Sequence, residues 1–223
     1  ILQRLNNKLS AQTSRKVLQM KGVISNKYPI VMTLTIENEH VFGFYYYEKY
    51  KTKILLEGQI TDDKVTLMES PDHENQFKTG FMGTITDSIF SGNWVDKPHD
   101  KMLKFELTIK LDKPMNLSKD IAAIEGTYES LYNSDKYFGS VVFRNITDEL
   151  FYFEISNGTE SGCTGFLKGL VELNDFKKGV FSTDLCEKLE FKLLNNELNL
   201  IENNCDLHGM ICPFNGEYKK ISI

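Results

Sequence analysis

The chain has 223 residues, of which 41% are hydrophobic and 12% aromatic, and its formal net charge is -5 at pH 7. This composition supports a folded core and excludes a chain that is disordered throughout. The acidic balance argues against general nucleic-acid binding, and no apolar run approaches the roughly 18 residues of a membrane span. The length fits one large domain or two small ones.

Charge and cysteine are unevenly distributed along the chain. Of the 26 Lys/Arg and 31 Asp/Glu, residues 1–120 hold 17 and 15, and residues 121–223 hold 9 and 16, so the two parts have net charges of +2 and -7. All four cysteines lie in the second part, and the single tryptophan, Trp94, lies in the first. This asymmetry indicates two structural units.

The first unit is predicted to be a β-barrel over residues 21–112, preceded by a segment, 1–20, that forms a short helix or a tether. From Gly22 onward apolar residues recur with a period close to two, which is typical of strands, and turn residues separate the runs. Seven or eight short antiparallel strands at this spacing favour an up-and-down barrel or a sandwich. The runs are Ile30–Ile36, Val41–Tyr47, Ile54–Ile60, Lys64–Glu69, Phe77–Ile85, Ile89–Trp94 and Leu103–Leu111.

A linker is predicted over residues 113–124. Pro114 does not fit a central strand, and Ser118 can cap one helical turn formed by the residues that follow it. The strand pattern then resumes, and residues 125–223 repeat the plan of the first unit. The sequence therefore predicts an all-β chain with two tandem antiparallel meander β-barrels. The runs of the second unit are Gly126–Tyr128, Phe138–Asn145, Leu150–Ser156, Cys163–Leu173, Gly179–Thr183, Leu189–Leu194, Glu197–Glu202 and Phe214–Ile221.

The register of one hairpin predicts the disulfide pairing. If Asn195-Asn196 is a two-residue turn, opposed residue numbers add up to 391, which pairs Leu193 with Leu198 on one apolar face. The same register places Cys186 opposite Cys205, within disulfide reach. Cys163 then pairs with Cys212 by elimination.

Three alternatives remain for the cysteines. The other pairing is Cys205–Cys212 with Cys163–Cys186. A second alternative is a zinc site, because Cys205, His208 and Cys212 have the spacing of metal ligands and another cysteine could complete the set. Free buried thiols are the third. The predicted disulfides place the protein in an oxidising compartment, so we expect it to be exported to the periplasm or cell envelope of a bacterium.

Several short motifs resemble those of known exported proteins. The second unit contains Gly162-Cys-Thr-Gly165, Cys186-x-x-Leu-x-Phe191, Cys205-x-x-His-Gly209 and Phe-Asn-Gly-Glu-Tyr218. It resembles a domain of uncharacterised exported bacterial proteins, some of which accompany lysozyme-inhibitor modules. The first unit is similar to another such β-domain, on Tyr28-Pro-Ile-Val-Met, Gly43-Phe-Tyr-Tyr-Tyr47 and Phe90-Ser-Gly-Asn-Trp94. Both resemble avidin-like or lipocalin-like meander barrels, which implies fold and export and supplies no catalytic residue.

Aromatic runs supply the candidate binding residues. The run from Phe42 to Tyr47 puts large rings on both faces of one strand, and only one face can fill a barrel. The second face is expected to pack against another part of the chain or to form a partner-binding patch, and a ligand lining inside the barrel is a third interpretation. The candidate partner-binding residues are Tyr45, Tyr47, Lys49, Tyr50 and Lys51.

The sequence contains no recognisable catalytic or metal-binding motif, and we expect neither activity nor a cofactor or metal. The four histidines are dispersed, and paired carboxylates such as Asp62-Asp63 fall at turns, where Asp is favoured by the backbone. The expected function is therefore non-enzymatic binding of a protein, such as a hydrolase or a toxin, in the manner of an inhibitor or immunity protein. The alternatives are carriage of a small apolar ligand in a barrel, and a structural envelope protein without a discrete site.

Overall fold

The computed structural model describes residues 15–70, 76–115 and 117–222, and these residues are almost entirely β-structure. Strands β1 to β8 form a first domain, the helix α1 (Lys119–Ile124) follows, and strands β9 to β16 form a second domain. The first-domain strands are β1 Arg15–Ile24, β2 Tyr28–Glu37, β3 His40–Tyr47, β4 Ile54–Thr61, β5 Lys64–Glu69, β6 Thr79–Ile85, β7 Ile89–Asp96 and β8 Lys101–Pro114. The second-domain strands are β9 Gly126–Ser130, β10 Tyr137–Thr147, β11 Leu150–Thr159, β12 Thr164–Glu172, β13 Lys178–Thr183, β14 Cys186–Leu194, β15 Glu197–Cys205 and β16 Gly216–Ser222.

The first domain is a closed up-and-down barrel, as the sequence predicts. Each strand pairs with the next, and β8 returns to pair with β1 in antiparallel register from Lys16↔Pro114 to Ile24↔Phe105. The predicted N-terminal segment, 1–20, differs from the structure over residues 15–20, which belong to β1. Leu18 and Met20 are buried there and alternate with polar residues, so this stretch completes the barrel wall. Residues 1–14 lie outside the described part of the chain.

Aromatic rings fill the first barrel. Tyr45 meets Phe81 edge to face at 5.1 Å between ring centroids, Phe81 meets Phe105 at 5.2 Å, and Phe105 meets Phe90 at 4.7 Å. These rings are almost fully buried. Edge-to-face contacts of this kind add to the free energy gained from burial.

The curvature of the barrel at β3 depends on glycine. At Gly43 in β3, a Cβ atom would collide with the carbonyl oxygen of Thr33 on the neighbouring strand. The two backbones therefore approach more closely than any other residue type allows, which lets the sheet curve tightly enough to close.

Helix α1 is a single short helix fixed at both ends. The Ser118 hydroxyl accepts a hydrogen bond from the Ile121 amide at 3.2 Å, which confirms the predicted N-cap. At the other end the Lys220 ammonium group donates to the carbonyl oxygens of Ala122 at 2.8 Å and Ala123 at 2.9 Å. Side chains thus satisfy helix-end groups that have no partner within the helix.

The second domain is an eight-stranded meander sheet that is nearly closed. Its strand order is β12-β11-β10-β9-β16-β15-β14-β13, so the first and last strands of the domain pair in the centre. β12 and β13 form the two sides of a seam. Phe181 on β13 packs against Phe153 of β11, with 5.1 Å between the ring centroids. A residue of a strand beside the seam therefore contributes to the core.

Buried tyrosines connect the core of the second domain to its backbone. Phe143 contacts Tyr128 and Phe191, each at 5.7 Å between ring centroids. The Tyr128 hydroxyl donates to the carbonyl oxygen of Ile124 at 2.7 Å, and the Tyr218 hydroxyl donates to that of Phe214 at 3.1 Å. Burial raises the pKa of both phenols well above their ordinary value.

These two tyrosines predict the alkaline limit of stability. They stay neutral in the folded state, whereas in the unfolded chain they ionise near pH 10. The free energy of unfolding of the second domain should therefore be unaffected by these groups below about pH 10 and should fall as the pH rises further. In urea unfolding at neutral pH, Tyr128→Phe should lower the free energy of unfolding by about 1–3 kcal/mol, because the Ile124 carbonyl loses its donor. The free energy of unfolding of this variant should also fall less steeply as the pH rises above about 10. An unchanged alkaline slope in both Tyr128→Phe and Tyr218→Phe would contradict this assignment.

Candidate functional site

The predicted aromatic patch of the first domain is divided by the structure. Tyr45 is 1% exposed and packs between Phe81 and Tyr47, so it belongs to the barrel interior and cannot contact a partner. Tyr47 is half-buried and meets Tyr28 edge to face at 6.5 Å. Strand alternation places both side chains on the inner face of β3.

The remaining predicted residues form an exposed lysine–tyrosine loop, residues 48–53. Tyr50 is 66% exposed, with the Lys49 ammonium group 5.1 Å from its ring centroid. Lys51 lies 5.1 Å from the Tyr46 ring and Lys53 lies 5.8 Å from the Phe44 ring. The apolar stems of these lysines cover rings on the outer face of β3 while the ammonium groups stay in water. The loop is thus a cationic surface with one well-exposed ring.

The structure joins Cys186 with Cys205 and Cys163 with Cys212, as the hairpin register predicts. Cys186 lies directly opposite Cys205 in the ladder of β14 and β15, and the Asn195-Asn196 turn has the positive φ angles of a two-residue hairpin. Because Cys205 and Cys212 belong to different disulfides, the alternative zinc set is not formed. Both bridges lie at the same end of the second domain.

Four loops meet at this end, and we call them together the rim: residues 131–136, 160–163, 184–185 and 206–215. Backbone hydrogen bonds join them. Glu160 donates to the carbonyl oxygen of Lys136 at 3.0 Å, and Asp206 donates to that of Leu185 at 2.7 Å. Gly209 donates to Thr164 at 3.1 Å, which attaches the longest loop, 206–215, to the start of β12.

The rim displays large apolar side chains to solvent. Met210 is 97% exposed and Ile211 is 64% exposed. Both lie between Cys205 and Cys212, which belong to different disulfides. Exposed apolar clusters are uncommon on globular domains and are typical of interaction surfaces. The exposed apolar residues of the rim and of the adjoining start of β10 are Leu131, Tyr132, Phe138, Leu185, Met210 and Ile211.

A buried carboxylate fixes the loop 206–215 from below. Glu202, on β15, accepts hydrogen bonds from the amide of Phe214 at 3.0 Å and from the side-chain amide of Asn215 at 3.3 Å. Its carboxylate also lies 3.1 Å from the Nε2 atom of His208. The side chains of Glu202 and His208 are 9% and 10% exposed. Hydrogen bonds to a charged group in such surroundings are stronger than those between neutral groups.

Two further polar side chains hold the same loop. The amide nitrogen of Asn157, on β11, donates to the carbonyl oxygen of Pro213 at 2.7 Å. The Tyr218 hydroxyl, on β16, donates to Phe214. Strands β11, β15 and β16 and the Cys163–Cys212 bridge therefore all fix this one loop.

The rim is acidic; the sequence locates the negative charge in residues 121–223 but does not show that these loops come together. Its loops contain four carboxylates and one lysine, a net charge of -3, namely Asp135, Glu160, Asp184, Asp206 and Lys136. All five residues are exposed. The loops are far apart in the sequence, and only the meander order brings them together. The one local signal was the apolar pair Met210-Ile211 within a polar, cysteine-containing loop.

Comparisons of the chain with protein-family models, with curated proteins and with solved structures gave no match. Among the described residues, no helix is long and apolar enough to cross a membrane. The same part of the chain has no group of three or more His, Cys, Asp or Glu side chains arranged to hold a metal ion. The choice of the rim and the lysine–tyrosine loop as candidate sites therefore depends on their geometry alone.

Removal of the Cys163–Cys212 bridge should loosen the rim. The bridge closes a segment with a sequence separation of 49, against 19 for Cys186–Cys205. In urea unfolding, Cys163→Ser/Cys212→Ser should destabilise the second domain by about 2–5 kcal/mol, and Cys186→Ser/Cys205→Ser by roughly 1 kcal/mol less, because closing a shorter loop costs the unfolded chain less entropy. Amide hydrogen exchange in 206–215 should accelerate in the first variant, and unchanged exchange there would contradict this role of the bridge.

Proposed function

We propose that this chain is a non-enzymatic binding protein whose second domain holds a basic protein partner against the rim. One observation carries the proposal: exposed apolar side chains sit on loops that disulfides and buried hydrogen bonds fix in place, and the same loops carry four exposed carboxylates. Fixed loops lose little conformational freedom on binding, so more of the contact energy appears as affinity.

The charge of the rim indicates the kind of partner. The rim loops carry a net charge of -3 and residues 121–223 carry -7, so a basic surface would be steered toward this end of the molecule. Met210 and Ile211 would then enter apolar pockets of the partner, because buried apolar anchors surrounded by polar contacts dominate most interfaces. A basic hydrolase such as a lysozyme, or a basic toxin, has the required chemistry.

The inhibitor- or immunity-like role and the cellular location belong to the same proposal. Two disulfides are compatible with an oxidising compartment, which supports export to the periplasm or cell envelope of a bacterium. The resemblance of the second domain to domains that accompany lysozyme-inhibitor modules supports the same class of partner. The lysine–tyrosine loop is a second candidate surface, favoured by the exposed ring of Tyr50, and its charge suits an acidic partner.

The carrier alternative receives less support from the packing. Aromatic rings occupy the interior of both domains, where a carrier of the lipocalin type would keep space for its ligand. A half-open cavity of about 420 Å³ lies on the first domain, and five of its eight lining residues are polar. Its polar lining residues are Asn26, Ser91, Asn93, Lys104 and Glu106.

Binding should be tested with purified basic hydrolases. In isothermal titration calorimetry with a basic lysozyme, Met210→Ser/Ile211→Ser should weaken binding at least about tenfold, because two buried anchors are lost. Leu194→Ser is the matched control: Leu194 is equally apolar and 67% exposed, but it lies at the turn between β14 and β15, away from the rim.

The salt dependence of binding and the comparison of the two variants test the role of the rim. Binding through the rim should weaken as the salt concentration rises, because screening removes the steering by the carboxylates. Equal affinity of the rim variant and the Leu194→Ser variant would show that the rim is not the site. An absence of both binding and inhibition across basic lysozymes and basic nuclease toxins would contradict the proposed class of partner.

A further inference from the structure

His208 lies between two hydrogen-bond acceptors. Its Nδ1 atom is 2.8 Å from the carbonyl oxygen of Gly209, and its Nε2 atom is 3.1 Å from the Glu202 carboxylate. A carbonyl oxygen can only accept, so Nδ1 carries a hydrogen. The carboxylate already accepts from the amide of Phe214 and from Asn215, so it too acts as an acceptor.

This arrangement requires the charged form of the histidine. A neutral imidazole with its hydrogen on Nδ1 directs the lone pair of Nε2 at the carboxylate, which is repulsive. Only the imidazolium ion donates from both nitrogens. The pair is nearly buried, and the edge of the Phe214 ring packs on His208 at 4.9 Å between ring centroids. Solvent therefore does little to replace the lost hydrogen bond.

The other titratable groups around His208 and Glu202 carry no charge that could replace the carboxylate as the partner of the histidine. Tyr137 on β10 and Tyr218 on β16 lie within electrostatic range of Glu202, and burial raises the pKa of both phenols, so they stay neutral. Cys163 and Cys212, which lie beside Gly209 of the loop, are joined in a disulfide. Glu202 is thus the charged group shown to face His208, and the proton on Nε2 decides whether the two attract or repel.

We propose that His208 and Glu202 form a proton-dependent latch that holds the loop 206–215, and with it Met210 and Ile211, in the conformation that binds the partner. This inference rests on the proposed function of the rim. With both ring nitrogens protonated the latch is closed. When the imidazolium loses its Nε2 proton, the donor disappears and the loop loosens between its other anchors. Partner binding should accordingly be tighter at acidic pH.

Two other histidine–carboxylate pairs serve as internal references. His40 lies 3.2 Å from Glu57, and His99 lies 2.8 Å from Asp96, both in the first domain. Their histidine side chains are 44% and 67% exposed, so water can hydrogen-bond to the neutral ring. The loss of their charge should leave the surrounding backbone unchanged.

The test measures the histidine and the loop directly, without a partner. Nitrogen-15 NMR should show both ring nitrogens of His208 protonated at pH 5.5. Amide hydrogen exchange at 209–212, corrected for the intrinsic effect of pH, should become roughly tenfold faster or more between pH 5.5 and 8. In Glu202→Gln the side-chain amide can donate to the neutral ring, so exchange should change less than about twofold over this range. Glu57→Gln is the control and should retain the wild-type pH dependence.

Several outcomes would overturn the latch. A neutral His208 ring at pH 5.5, a loop exchange rate independent of pH in the wild type, or a Glu202→Gln variant with the full wild-type pH dependence would each contradict it. His208→Gln supplies a second comparison if Glu202→Gln does not fold. Because these measurements use the chain alone, they can fail while the rim binds its partner, and a partner-binding test can fail while the latch operates.

Discussion

The meander order of the second sheet is the constraint on which the rim depends. In an antiparallel chain of neighbouring strands, every second connection falls at the same end. The four connections at one end of β9 to β16 therefore meet, although residues 131 and 215 are far apart in the sequence. Both disulfides lie at this end, where the connection 206–215 is the longest. The disulfides and the longest connection thus lie at one end of the domain, while the opposite end has short turns such as Asn195-Asn196.

Sequence reasoning succeeded where local chemistry decides the outcome. The turn residues Asn195-Asn196 set the register of β14 and β15, and this register paired Cys186 with Cys205 and left Cys163 for Cys212. Alternating hydrophobicity located the strands, and Ser118 capped the predicted helical turn. The same reasoning failed for Tyr45, because β3 has rings on both faces and only the closure of the barrel shows which face is inside. It also missed the rim, since no local pattern announces that distant loops will meet.

Buried polar side chains of the second domain lie beneath the loop 206–215 and hold it in place. Glu202, His208 and Asn157 are nearly inaccessible to water, and each makes hydrogen bonds to or within the connection 206–215. Burying such groups is costly unless their hydrogen bonds are complete, so they do not simply add stability. Their contribution is to select one conformation of the loop. Burial of these polar groups costs free energy within the domain, and their hydrogen bonds order the loop at its surface.

The separation of anchors from exposed side chains in the loop 206–215 has an evolutionary consequence. The anchoring positions, Cys212, Phe214 and His208, point into the domain, whereas Met210 and Ile211 point away from it. Substitutions at the two outer positions would leave the inner contacts and the sheet intact. The chemistry of this exposed surface can therefore change by single mutations without a loss of the fold, so that copies of the domain can diverge at the surface while they keep the same scaffold.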